Sequence, residues 1–343
     1  MARPTVHDVA SEAGVSLATV DRVLNGRSGV REKTANRVHA AIDRLGYVRD
    51  TSAANLARKR EYNFVAVLPK DSSQFTETMR KALIEAASAQ ITERMTVKVI
   101  SVMPDDPHAI ARALHGLRRS KPDGVAIMAQ ETPQVRDAIA RLKIDGIAVA
   151  ALLSDLPSSE RDFFVGVNSQ SAGRTAALLM GRFVTNTKGK VLVVTSSLMA
   201  RDSIDRRLGF DSVILDEFPS LSVLPSVEFR NDPERARRII ARALEGHDDL
   251  VGVYSMGPGN QHLIDALRDD GRLPELVYIA HELTPYTRVA LVNREIDAVI
   301  AQNVGHLARS ALRVLRAKSD GVAIFEAQER IRIDIITREN LPE

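Results

Sequence analysis

The side chains best placed to do chemistry in this sequence lie within its first fifty residues. Thr5-Val6-His7-Asp8 sets a hydroxyl and a carboxylate three residues apart, the spacing at which each satisfies a free amide at a helix start. Ser16 with Thr19 offers a second N-cap, and Val6, Val9, Ala10 and Ala13 recur at helical spacing between the two. Gly14 interrupts the pattern and Val15 supplies an apolar plug. A second helix then buries Val20, Val23 and Leu24 and turns Leu17, Ala18, Asp21 and Arg22 outward. Arg22 carries a planar fork that matches the guanine edge, while Leu17 and Ala18 suit a thymine methyl group. Ser16, Thr19, Asn25, Thr34 and Tyr47 are polar groups of the kind that hold phosphates and set register without reading bases. Asp21 stands out among them, because a carboxylate near phosphates needs Arg22 or a cytosine amino group as partner.

The elements that must position these groups are short. Two helices joined by a tight glycine turn form a helix-turn-helix, whose second helix enters the DNA major groove. A third helix spans about 31–45 with Val38, Ala41, Ile42 and Leu45 on its inner face, stopped by Gly46, and Tyr47 packs back on the bundle. The Ala-rich stretch 50–58 is too short to be a stable helix alone, which predicts an element that folds with a partner.

The run Thr5, Asp8, Val9, Ala10, Ala13, Gly14, Val15, Ser16, Thr19, Val20, Arg22, Val23, Leu24 and Asn25, all in register, resembles the headpiece of the LacI/GalR family of transcriptional regulators. The resemblance implies that Leu17 and Ala18 set the choice of operator. It also matches Ala53, Leu56 and Ala57 to the family's hinge, with Leu56 as the wedge that enters the minor groove and the two alanines allowing close approach across a dimer. The implied DNA contacts are therefore Thr5, Ser16, Leu17, Ala18, Thr19, Asp21, Arg22, Asn25, Thr34, Tyr47, Ala53, Leu56 and Ala57. Arg31 stands where a Ser cap would start the third helix, and Arg49-Asp50 replaces the usual Pro-Asn before the hinge.

Charge is distributed accordingly. Residues 1–60 carry 11 Lys and Arg against 6 Asp and Glu, while the remaining 283 carry 36 against 38, so the basic excess sits on the small N-terminal piece where phosphates would be neutralised. Cysteine is absent, which excludes disulfides, thiolate metal sites and a Cys nucleophile. The eight histidines are scattered, and no H-E-x-x-H, G-x-S-x-G or P-loop is present. Gly257-Pro258-Gly259 lacks the third glycine of a dinucleotide loop, so the sequence calls for no cofactor and no enzyme chemistry. An N-terminus without an apolar core segment, together with no apolar run near the roughly 20 residues of a membrane span, predicts a cytoplasmic chain without membrane contact.

From Tyr62 onward the pattern alternates. Continuous apolar runs such as Phe64–Pro69, Val97–Val102, Gly124–Ala129 and Ile147–Leu153 are separated by amphipathic helices, and the alternation repeats from Phe163. Strands without polar alternation indicate parallel sheets covered on both faces. The expected fold is an all-α helix-turn-helix headpiece followed by α/β, with two doubly wound parallel-sheet lobes and a cleft between them; the resemblance implies that this core is of the periplasmic binding protein type I kind. The domain boundaries read as a headpiece over 1–48, a hinge over 49–61 and a core over 62–343. Within the core, lobe 1 covers about 62–158 and 293–318, and lobe 2 about 163–285 and 322–338. Three crossovers, implied by the resemblance, fall near 158–164, 282–293 and 316–325.

The resemblance also implies an effector set. Arg206 begins an R-x-x-G-F segment, Glu282 stands where the family carries an acid after the strand, and Gln302 ends an I-A-Q run. Phe75 sits in the family's N-P-F-F slot and Asn260 in its N-D position, whereas Asn168-Ser169 departs from the family's acidic pair. Glu131 and Asp155 follow strands and face the expected cleft. Each has a plainer alternative: Arg206 as a surface charge, Glu282 as the cap of the helix starting near Thr284, Phe75 as core. The implied function is a repressor on a pseudo-palindromic operator, a homodimer whose DNA affinity answers to a sugar, polyol or sugar acid between the lobes. The alternatives are an activator or dual regulator, or a nucleobase, nucleoside or phosphorylated effector. The end of the chain carries no apolar heptads, which favours a dimer over a coiled-coil tetramer.

Overall fold

A computed structural model describes residues 4–24, 28–47, 60–70, 73–89, 94–104, 106–184 and 188–342. The chain divides into two compact units, Met1–Arg60 and Glu61–Glu343.

The first unit is built on helix ends. Helix α1 (Val6–Ala13) starts in the expected capping box: Asp8 N–H donates to Thr5 Oγ1 at 3.3 Å and Thr5 N–H to Asp8 Oδ2 at 2.7 Å. Gly14 ends it at φ +61°, a left-handed conformation that glycine adopts without a Cβ penalty. Arg37, which the pattern did not flag, donates from Nη2 to the Gly14 carbonyl at 3.2 Å and also bonds that of Ala13, satisfying the end of α1 from across the bundle. Helix α2 (Leu17–Leu24) is capped by Ser16, whose Oγ accepts Thr19 N–H at 3.3 Å. Helix α3 (Glu32–Leu45) begins at Arg31 with no side-chain cap and ends at Gly46, again left-handed. Val9, Ala10, Ala13, Val20, Val38 and Ala41 form the small core, with Tyr47 packed against it. The hinge expected over 49–61 falls outside the described residues except for Arg60 and Glu61, and so do Asn25, Ala53, Leu56 and Ala57.

The second unit contains two sheets. Strands β1 (Tyr62–Pro69), β2 (Met95–Val102), β3 (Gly124–Ile127), β4 (Ala148–Leu152) and β5 (Phe163–Val165) make an all-parallel sheet in the order 2-1-3-4-5. Helices α4 (Gln74–Ser88) and α5 (Pro107–Ser120) follow β1 and β2, and α6 (Pro133–Ile144) follows β3. The second sheet holds β6 (Gly189–Thr195), β7 (Leu221–Val223), β8 (Val227–Glu228), β9 (Leu250–Ser255), β10 (Val277–His281), β11 (Ala298–Gln302) and β12 (Ile333–Ile336). Its order is 12-11-10-9-6-7, with β8 also on β6 and only β12 antiparallel. Helices α7 (Ser169–Phe183) and α8 (Arg201–Glu217) cover one face of this sheet, and α9 (Pro233–Gly246), α10 (Asn260–Asp270) and α11 (Pro285–Val292) the other. Helix α12 (Val304–Ser319) returns to pack on the first sheet beside α4. Each sheet is apolar on both faces, which accounts for the unbroken apolar runs.

Two lobe boundaries differ from expectation. Phe163 pairs with Ala150, so β5 closes the first sheet instead of opening lobe 2. Ile279 pairs with Ala298, so β11 belongs to lobe 2 and lobe 1 resumes at Asn303, not at 293. The chain therefore crosses over at 166–168, at Asn303 and within 320–332, and the stretch 282–293 is no crossover. A buried parallel strand reads alike in either sheet, and only pairing decides its lobe. No helix among the described residues is long and apolar enough to cross a membrane.

Candidate functional site

In the first unit the outer side of α2 is open to solvent. Leu17 is 41% exposed and Ala18 and Arg22 are exposed, as the spacing predicts, whereas Asp21, expected to face outward with them, is half-buried. The hydroxyls around that face serve the fold first. Thr5 Oγ1 donates to Asp8 Oδ2 at 2.8 Å, and Ser16 Oγ lies 2.9 Å from Thr19 Oγ1. Thr34, in the first turn of α3, and Tyr47 are half-buried. Helix α2 is thus held by its own cap and by Val20 beneath it, leaving the Leu17-Ala18-Arg22 surface for a partner.

In the second unit the carboxyl ends of both sheets converge on a cavity of about 180 Å³. Phe75, Val102, Ile110, Met128 and Leu153 give it an apolar wall from lobe 1. Lobe 2 supplies Asp202, Ser203, Arg206, Asn231 and Glu282. Arg206 is only 2% exposed, which removes the surface-charge alternative. Its Nη1 donates to the Met256 carbonyl and lies 3.4 Å from Asp202 Oδ2, while Nη2 is 3.8 Å from Glu282 Oε1. Nε is buried with no partner among the described residues. Ser154 Oγ, on the opposite wall, is likewise buried and unpartnered.

Helices α7 and α8 seat this arginine by close approach. A Cβ on Gly173 would come within 1.9 Å of the Arg206 carbonyl oxygen, and one on Gly209 within 2.0 Å of that of Gln170. Glycine at both positions lets the backbones touch and fixes where Arg206 leaves its helix.

Glu282 is 4% exposed and sits at the end of β10 with φ +70°. It does not cap α11, because the Thr284 hydroxyl accepts Thr287 N–H there. Burial pushes its carboxyl up to about 7, against the opposing pull of Arg206 and of Gln302, whose Nε2 donates to Oε1 at 3.0 Å. Behind it, His281 Nε2 lies 2.9 Å from the Tyr254 hydroxyl. Burial and the Arg206 charge hold His281 well below its usual range, and burial raises Tyr254, so both are neutral at pH 7. At this cavity the buried charge is the Arg206–Asp202–Glu282 group, two acids sharing one cation, while buried Glu329 pairs with Arg313 elsewhere.

The other expected residues fare unevenly. Phe75 lines the cavity, and Gln302 positions Glu282 without lining it. Asn260 is a brace: its Nδ2 donates to the carbonyls of His281 at 2.9 Å and Gly257 at 3.3 Å, and its Oδ1 accepts from the Tyr278 hydroxyl. Glu131 accepts Ser158 N–H at 2.7 Å and holds the loop after β4 instead of the cavity. Asp155 is spent on Arg161, with Nη2 to Oδ2 at 2.7 Å, and borders a wider groove of about 830 Å³ beside the crossovers. The strand-end rule was one residue off: Leu153 adopts φ +69°, and Ser154, not Asp155, reaches the cavity. Asp202 was also missed, although its i,i+4 spacing to Arg206 was readable. Across the cleft, Gln130 Nε2 donates to Ser197 Oγ at 3.1 Å.

This architecture is shared with known proteins. The model of bacterial regulatory proteins of the lacI family matches residues 5–50, and that of the periplasmic binding protein domain matches residues 64–322. Catabolite control protein A of Streptococcus mutans serotype c is 28% identical over 181 residues, 52% of this chain and 51% of that protein. The aligned stretch thus spans about half of that relative. HTH-type transcriptional regulator pepR1 of Lactobacillus delbrueckii subsp. lactis is 26% identical over 326 residues, 91% of this chain and 90% of that protein. Among solved structures, GanP, a glucose-galactose binding protein from Geobacillus stearothermophilus, superposes with a TM-score of 0.74 at 18% identity, covering 83% of this chain and all of that one. A solute-binding protein from Burkholderia graminis in complex with D-arabinose gives 0.73 at 22% identity over 82% of this chain and 96% of that one. At these identities the structural likeness speaks for the fold.

Proposed function

Because the chain belongs to the lacI family of bacterial regulatory proteins, with a periplasmic binding protein domain behind its headpiece, we propose that it is a sequence-specific DNA-binding transcriptional regulator. In this reading it is a repressor, it binds a pseudo-palindromic operator as a cytoplasmic homodimer, and a small hydroxylated ligand in the inter-lobe cavity sets its operator affinity. The observation that carries the reading is the solvent-bare Leu17-Ala18-Arg22 face on a helix already capped and packed. An exposed guanidinium flanked by small apolar groups matches a base-pair edge, and the +5 excess of residues 1–60 supplies phosphate neutralisation. In the core, Arg206 Nε and Ser154 Oγ, buried on facing walls and without a partner among the described residues, are groups that a hydroxylated ligand would satisfy.

Selection of bound fragments from the organism's own DNA, followed by fluorescence anisotropy, tests the reading. A palindromic site bound at least about a thousandfold more tightly than random duplex is expected. Uniform binding to all fragments, differing only with salt, would sink it.

A further inference from the structure

Next to the ligand cavity lies a second chamber of about 210 Å³. The two share Ser73, Phe75, Asn231, Pro258 and Glu282 in their linings, so they are adjacent, with the Phe75 and Glu282 side chains at their common boundary. We infer that the ligand is a two-part uncharged molecule, a disaccharide or another glycoside, with one hydroxylated ring in the inner chamber and a second polar unit in the outer one. The inference rests on the reading of the core as a small-ligand receptor and goes on to name the size and charge of what it takes.

Size is the first argument. Pockets that enclose a small molecule usually measure about 300–1,000 Å³. The inner chamber alone falls short of that range, and the two joined reach its lower part.

Chemistry is the second. The inner chamber opposes an apolar wall to a charged floor, which suits a ring with one apolar face and a hydroxylated edge. The outer chamber is lined by Gln74, Gln261, His262, Thr284 and Tyr286, amide, imidazole and hydroxyl groups suited to further hydroxyls. It borders the start of α10, where the Gly259 cap gives the first turn no side-chain acceptor. At its rim Tyr286 N–H donates to Gln74 Oε1 at 3.4 Å, joining lobe 2 to lobe 1.

Charge is the third. The Glu282 carboxyl, at the boundary of the two chambers, is held through Oε1 by Gln302 at 3.0 Å and lies 3.8 Å from Arg206. Arg206 is already offset by Asp202 and Glu282. A carboxylate or phosphate on the inner ring would lie beside Asp202 and would hold Glu282 in its protonated form, with Arg206 as the one cation and no water, which disfavours it.

The test is calorimetric titration of the full-length protein with matched sugars. Glucose, galactose, xylose and arabinose are compared with disaccharides built from them, with their phenyl glycosides, and with the corresponding uronic acids and 6-phosphates. At least one neutral two-part compound should bind about tenfold or more tightly than either constituent sugar. In Gln261→Trp, which places a bulky ring in the outer chamber from an exposed position, that preference should fall to within about twofold. A monosaccharide that binds as tightly as any two-part compound overturns this inference and leaves the small-ligand reading standing. Binding confined to the acids or phosphates does the same. No binding by any compound overturns both.

Discussion

The headpiece and the inter-lobe cavity use arginine in opposite ways. Arg22 stands exposed on α2 with its guanidinium available to an outside partner, whereas Arg206 is buried at the cavity floor against Asp202, Glu282 and the Met256 carbonyl. A charge in water costs the fold almost nothing and can be spent entirely on binding. A charge out of water must be offset inside the molecule before any ligand arrives. The first therefore reads as specificity with little effect on stability, and the second as stability and specificity together.

Four measurements bear on that contrast, beginning with the largest effect. Arg206→Ala leaves Asp202 and Glu282 without their cation, so the core should lose about 3–5 kcal/mol and bind no ligand. Denaturant unfolding followed on the core transition reads this, and an unchanged midpoint would mean that Arg206 is not part of a buried ion group.

Glu282 gives the next effect through pH. Its folded pKa of about 7 lies above the ordinary carboxylate value, so the folded state holds the proton more tightly than the unfolded one. Stability is then fully present at low pH and is lost as pH rises from about 4.5 through 7, at up to about 1.4 kcal/mol per pH unit. Melting temperatures of the native protein and Glu282→Gln across that window should converge at the acid end and separate at the alkaline end. Parallel curves would remove Glu282 as a titrating group. Partly buried Asp297, also raised by burial, titrates in the same direction in both proteins and cancels in the difference.

On the headpiece side, Arg22→Ala should weaken operator binding by about 1–3 kcal/mol and relax the base preference at one position of each half-site. Core unfolding should not move. A uniform loss across all sequences would demote Arg22 to a phosphate contact. The smallest effect belongs to Ser16→Ala, which removes the α2 cap and should lower headpiece stability by about 1 kcal/mol, read from a thermal melt of the headpiece transition.

Legibility followed the range of the interactions. The Thr5–Asp8 box, the Ser16 cap, the Gly14 and Gly46 stops and the exposed Leu17, Ala18 and Arg22 are decided within four or five residues of each other and lie where the spacing puts them; of the outward set only Asp21 is half-buried. In the cavity, Arg206, Glu282 and Phe75 came from matching short segments to a family, and the structure brings all three to one cavity. Glu131 and Asp155 lie away from that cavity, because sequence position does not reveal whether a nearby amide or Arg161 claims a strand-end carboxylate first. Asn260 is braced by backbone carbonyls and borders the adjoining chamber.

The sequence by itself determined the headpiece, the alternation of strands and helices, and the types of residue available for a polar site. Periodicity and capping act locally, so they are written in consecutive residues. Tertiary structure alone decided that β5 and β11 join the sheets they do, because parallel pairing links segments whose apolar runs are interchangeable. It also decided that Ser154 faces the cavity while Asp155 does not, through one left-handed residue at Leu153. Finally, it set the chemistry of Glu282. A carboxyl's proton affinity depends on the water it has lost and the charges that replace it, and here those come from Asp202, Arg206 and Gln302, from 20 to 80 residues away.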